Sequence, residues 1–328
     1  ANVTLAAAAD IITATAGTDN VRLGENAGDS IASGGNYNVT IGKDAGTALT
    51  TGDNNVAVGF EALKTEDANG NSTAIGYRAL KTQNAGAESY NVAVGVDAGT
   101  AITTGIENTI VGSLAGDAVT TGNYNVAMGV QALSANVEGS RSTAIGQQAL
   151  YNQNPSSAAD MLNTAVGYQS GLAITTGTEN TVMGGEALDA CTVGNGNVAI
   201  GVQALTTDVN GSRSTAVGTT ALKIQEASGS TSNNYYNVGF GYGAGHDLTT
   251  GYYNTCIGSQ SADVLATGNQ NVYVGYDSTA SSSSVSGEIA IGYSVSGLGA
   301  GYIGIGNNTN GRVYNQFTAN ATWTHTSD

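Results

Sequence analysis

The sequence predicts an all-β protein, a parallel β-solenoid of about 17 short rungs. Three observations carry this. A glycine-centred motif recurs, mostly at a 17-residue spacing, along the 328 residues. Its apolar positions alternate with period two, and no useful length of chain shows the helical period. Glycine is about twice as common as in an ordinary chain (48 residues) beside a single proline, while 40% of residues are hydrophobic. Core-forming residues are thus interleaved with many tight turns, which excludes a disordered linker.

Aligned on the last residue of Asn-Val-Ala-Val-Gly, the anchors are Gly24, Gly42, Gly59, Gly76, Gly95, Gly112, Gly129, Gly146, Gly167, Gly184, Gly201, Gly218, Gly241, Gly258, Gly275, Gly292 and Gly306. Gly76 to Gly95, Gly146 to Gly167 and Gly218 to Gly241 span 19, 21 and 23 residues. These longer gaps fall every fourth rung, so a super-repeat of about 71 to 74 residues lies above the short one. Its linkers agree: EGSRSTA at 138–144 returns as NGSRSTA at 210–216. A single rung cannot bury its apolar face, but stacked rungs form a continuous core. Residues 1–19 read as a lead-in or cap, 20–306 as the array, and 307–328 as a C-terminal cap or junction.

Within a rung the elements follow in order. Four residues before the anchor stands Asn (Asn38, Asn55, Asn91, Asn108, Asn125, Asn163, Asn180, Asn197, Asn237, Asn254, Asn271), replaced by Ser at Ser72, Ser142 and Ser214. Stacked amides at a corner can bond up and down the column. Val, Ile or Thr one and three before the anchor share one strand face, and the residue between, usually Ala, takes the other. Glycine recurring in every rung, with no helix after it, is a corner residue and not a phosphate cradle. A second Ala column three residues past the anchor reads as a second short strand, followed by turns such as Thr-Thr-Gly. On this reading the Ala face is an apolar stripe left uncovered unless chains associate along a common axis.

Net charge is −16 with nine Lys and Arg, so no basic stripe exists for nucleic acid or an anionic membrane surface. No apolar run of membrane-spanning length occurs. Cys191 and Cys256 sit several rungs apart, too far for a bridge, and read as free buried thiols. No cofactor or metal motif is present.

The run Asn-x-Ala-Val/Ile-Gly-x-x-Ala, as in NTAVGYQSG at 163–171 and NVAIGVQAL at 197–205, resembles the head repeats of trimeric autotransporter adhesins. It resembles still more the repeat arrays of phage tail fibres, over about residues 20–306. That resemblance implies a left-handed β-roll assembled as a homotrimer on a virion or outside the cell, although the rung here is longer than the usual adhesin repeat. The C-terminal GRVYNQFTANATWTHTSD resembles the segment before the self-cleaving intramolecular chaperone of tail fibres and endosialidases. In that family a Ser-Asp pair marks the processing junction, which falls on Ser327 and Asp328. The other reading is an ordinary polar tail.

Candidate binding residues are Tyr37, Tyr90, Tyr124, Tyr235, Tyr236, Tyr252 and Tyr253, which cluster just before rung starts. Tyrosine stacks on sugars and also packs at subunit contacts. The longer linkers at 83–90, 152–162 and 225–236 are expected to protrude on one side. His246 and His325 assemble no catalytic set, and the acids Asp44, Glu61, Asp97 and Glu186 read as surface charge. The expected function is a non-enzymatic, host-attaching shaft of a tail fibre; the two alternatives are a bacterial adhesin head and a monomeric ligand- or ice-binding solenoid.

Overall fold

The computed structural model describes residues 16–226, 233–309 and 311–316. Ser327, Asp328 and His325 lie outside the described residues. Among those described there is no α-helix, and the fold is a parallel β-solenoid of about 16 turns. The chain divides into two compact units, one reaching Ser140 and including Ser157–Ala159, the other comprising Arg141–Ser156 and the residues from Asp160 onward.

In the first unit, strands Val21–Leu23, Val39–Ile41, Val56–Val58, Thr73–Ile75, Val92–Val94, Thr109–Val111 and Val126–Met128 pair in parallel, each with the next. Register is kept residue for residue, as in Val56 with Thr73, Ala57 with Ala74 and Val58 with Ile75. The second unit repeats this with Thr143–Ile145, Thr164–Val166, Thr181–Met183, Val198–Ile200, Thr215–Val217, Val238–Phe240, Thr255–Ile257, Val272–Val274 and Ile289–Ile291. Gly306 keeps the anchor place, its strand pairing in parallel with the sixteenth as Ile289 with Ile303 and Ile291 with Ile305, but the turn that leads to it is shortened. It lies in a six-residue strand, Tyr302–Asn307, which turns back antiparallel on Gly311–Gln316. Its distance from Gly292 is too short for a full turn of the repeat, and the hairpin covers an otherwise open ladder edge.

The two strand faces are the reverse of the sequence expectation. The middle residue points inward: Ala57, Ala74, Ala93, Ala127, Ala144, Ala165, Ala199, Ala216 and Ala290 are all fully buried. The branched residues on either side, such as Val56 and Val58, face outward and are half-buried. The reason is volume. Most interior levels take their large side chain from one of two places, while at Ile110, Val182 and Tyr273 the inward strand residue is itself large and buried. Where the fourth residue after the anchor is Leu (Leu63, Leu80, Leu133, Leu150, Leu205, Leu222), the seventh is polar (Glu66, Gln83, Asn136, Gln153, Asp208, Gln225). Where the fourth is Gly, the seventh is Leu49, Ile102, Val119, Ile174 or Leu248. A β-carbon on Gly99 would lie 3.0 Å from Ile102 Cδ1, so the two sources exclude each other. Where the inward strand residue is Ala, it is small because the large chain comes from across the interior.

The second short strand is also replaced. After the anchor the chain forms stacked turns in which the second and fourth residues are left-handed, as at Glu61 (φ 54°) and Leu63 (φ 50°). Rung-to-rung bonds persist through these turns, including Leu63 N to Ala79 O at 3.0 Å. Ordinary residues in this region cost of order 1–2 kcal/mol each, which the continuous bonding offsets. The anchor itself must be glycine on two counts. Gly112 has φ 134°, and a β-carbon there would sit 2.6 Å from Gly129 O.

The Asn column is a buried ladder, as expected. Asn38 Oδ1 accepts from Asn55 N at 2.9 Å, and Asn38 Nδ2 donates to Gly52 O at 2.8 Å. Serine is too short to continue it, and the super-repeat supplies the missing amide. Gln83, Gln153 and Gln225, each at the head of a longer linker, reach in to accept from Asn91, Asn163 and Asn237 at 2.9, 2.9 and 2.8 Å. The ladder ends at Glu288, whose backbone N donates to Asn271 Oδ1 at 2.9 Å and whose carboxylate accepts from Tyr273 Oη at 2.8 Å.

Candidate functional site

Three features of the surface and interior can carry function. The first is the outward strand face. Its residues, one and three before each anchor, are Val, Ile, Thr, Met, Leu or Phe in every one of these strands, with no charged side chain among them. Several are well exposed, including Met183 at 44% and Phe240 at 55%. The residue after the anchor extends the apolar character through exposed Phe60, Tyr77, Val96, Val130, Tyr168, Val202 and Tyr293. Phe60 stacks on Tyr77 with ring centres 5.4 Å apart, and Tyr276 on Tyr293 at 5.5 Å. This second aromatic column was missed in the sequence, although its constant place after the anchor makes it readable there.

The second feature is the tyrosine set. Tyr37, Tyr90, Tyr124, Tyr236 and Tyr253 all stand five before an anchor, in left-handed backbone, and are exposed. Tyr252 is exposed beside them. Tyr235 is not: it is 6% exposed, and its hydroxyl donates to Glu226 O at 3.0 Å, so it belongs to the interior. Position explains this, because the left-handed residue projects outward while its predecessor in the longer linker turns in. The second unit gathers tyrosines into a cluster. Tyr236 stacks on Tyr253 at 5.3 Å, and Tyr252 meets Tyr253 edge-on at 5.1 Å. Arg213 lies over Tyr236 at 5.6 Å and donates to its hydroxyl at 2.9 Å.

The third is the polar interior of the Leu-bearing rungs. Gln225 Nε2 donates to Asp208 Oδ2 at 2.6 Å, and Gly211 N donates to Oδ1 at 2.7 Å. Burial pushes the Asp208 carboxyl up to about 6, against the opposing pull of those two bonds. Glu66 holds the same position, accepting from Gln83 Nε2 at 3.0 Å.

Other titratable groups do surface work. Glu61 accepts from Lys64 at 2.6 Å and Lys81 at 2.7 Å, and these bonds hold its carboxyl down at about 2. His246 Nδ1 meets Asp247 Oδ1 at 2.8 Å on the surface. Cys191 and Cys256 are free and buried, and burial pushes both thiols up to about 12. Among the described residues, no three His, Cys, Asp or Glu side chains gather as metal ligands, and no helix is long and apolar enough to cross a membrane. Compared with known proteins, the chain matches no family model, no curated protein and no solved structure.

Proposed function

We propose that the chain is a structural, host-attaching shaft of a homotrimeric appendage of the phage tail-fibre type, working outside the cell. The observation that carries the reading is the outward strand face: uncharged, mostly apolar and repeated strand after strand within each unit. A monomer would leave it in water, and association of identical chains along a common axis removes it. The case for association therefore rests on the branched face, since the Ala face is already filled from within. The Arg213, Tyr236, Tyr252 and Tyr253 cluster supplies flat aromatic surface to a sugar. Ser327 and Asp328 keep their role as a processing junction in this reading. A water-ordering face fits less well, because Thr50, Thr103, Thr120, Thr175 and Thr249 of the Thr-Thr-Gly turns donate their hydroxyls to backbone carbonyls.

Cysteine trapping tests the assembly. Around a common axis each strand-face residue meets its own counterpart, so Met183→Cys under mild oxidation gives disulfide-linked dimers on a denaturing gel. Glu88→Cys, in an exposed linker, serves as the control and stays monomeric. The buried native thiols contribute no background. Absence of cross-linking at Met183 and at a second strand-face position, Ile145, would refute the shared-axis arrangement.

A further inference from the structure

The second residue after each anchor forms a column on the rungs of the second unit, occupied by Gln169, Glu186, Gln203, Thr220, Gln260 and Asp277. At one rung the column is empty, because the residue is Gly243. A β-carbon there would come no closer than 3.9 Å to Thr220 Oγ1 and 4.0 Å to Gln260 Cγ. The missing side chain opens a notch of about 380 Å³. Tyr242 lines it beside Gly243, Thr220 and Gln260 line it from the two neighbouring rungs, and Lys223, His246 and Asp263 line it from the column three residues further on. No strand-face residue takes part.

Lys223 is the unusual member. Lys43, Lys64 and Lys81 each have a carboxylate partner, whereas Lys223 has none among the described residues, in a chain of net charge −16. His246 engages Asp247 through Nδ1, which leaves Nε2 as the ring's other polar atom. The notch therefore joins an exposed aromatic ring, hydroxyl-binding groups of both senses (Thr220, Gln260, Asp263) and an unpaired cation. Its volume is at the small end of ligand sites. A pyranose ring with one carboxylate meets all these features: its C–H face on Tyr242, its hydroxyls on the amide, hydroxyl and carboxylate, and its charge on Lys223.

We propose that this notch is a binding subsite for a uronic-acid residue of a surface polysaccharide. The proposal deepens the attachment reading and rests on it for its setting, yet the two fail separately. A chain that does not trimerise can still bind the sugar, and a trimer with a dead notch is still a shaft.

The test is ligand-observed NMR and titration calorimetry on the whole chain. The probes are the methyl glycosides of glucuronic and galacturonic acid, with those of glucose and galactose as neutral controls. Gly243→Gln fills the notch without disturbing the fold, because Gln203 and Gln260 already occupy the same place at φ 56°. Lys223→Gln removes only the charge. The expected result is binding of at least one uronate at least tenfold tighter than its neutral counterpart, lost in Gly243→Gln and reduced at least tenfold in Lys223→Gln, with unchanged melting temperatures. Equal affinity for acid and neutral sugars, undiminished binding by Gly243→Gln, or no binding of either uronate to the native chain would each overturn it.

Discussion

Replacing Asp208 with Asn should stabilise the protein near neutral pH but not in acid. Asp208 is fully buried, and burial raises its carboxyl from 3.8 to about 6. The folded chain therefore keeps its proton in a range where the unfolded chain has released it. The penalty is absent below the unfolded value, grows as pH rises to the folded value, and is constant above it. Two units correspond to about 3 kcal/mol. The amide cannot accept from both donors as the carboxylate does, and losing the Gln225 bond returns about 1 kcal/mol. The expected net gain is about 1–2 kcal/mol near neutral pH, turning into a loss of up to about 1 kcal/mol at pH 4. The same chain already contains the variant environment. At the matching place, Asn136 accepts from Gly139 N at 3.1 Å and donates to Gly139 O at 2.8 Å, with Gln153 turned to Ser142. Guanidinium unfolding at about pH 7.5 and about pH 4 measures both. A loss of stability of equal size at both values would refute the reasoning, because it would show that the carboxylate carries no burial penalty.

Other substitutions probe the ladder and the corners. Gly112→Ala forces a β-carbon against Gly129 O at φ 134° and should cost more than about 3 kcal/mol, whereas Gly185→Ala, which meets nothing within 4 Å, should leave the melting temperature unchanged. Asn180→Ala removes the acceptor for Asn197 N at 2.9 Å and the donor to Gly194 O at 2.9 Å. With buried groups orphaned, denaturant titration should show a loss of about 2–4 kcal/mol. Glu61→Gln breaks the clamp with Lys64 and Lys81. Because the folded carboxyl is held down at about 2, its stabilisation is present above the ordinary carboxylate range and lost on acidification, so the variant should show a shallower acid limb in a stability–pH profile.

The repeat, the strand positions, the Asn ladder and the free cysteines were legible in the sequence because each is a column, and a column repeated many times outweighs local noise. Which strand face turns inward was not. Period two separates two faces but does not rank them, and here both are uncharged. The deciding signal is the exchange of bulk between the fourth and seventh positions, Leu63 with Glu66 against Gly99 with Ile102. That exchange is present in the letters but has meaning only once the fourth and seventh positions are known to share one interior space. The turns after the anchor escaped because Glu61, Leu63 and Gln131 do not announce left-handed backbone as glycine does. Tyr235 and Tyr236 are adjacent and identical in the sequence, and only the corner geometry buries one and exposes the other. The Gly243 notch was invisible for the opposite reason: in a chain so rich in glycine, one more looks ordinary until its column is seen to be filled on both sides.

The account stands or falls on whether the uncharged strand face is covered by other copies of the chain. The most direct measurement is the native mass in solution, by light scattering or native mass spectrometry across a dilution series. The account predicts about three times the chain mass of 32.6 kDa, stable to dilution. A persistent single-chain mass of 32.6 kDa would contradict it.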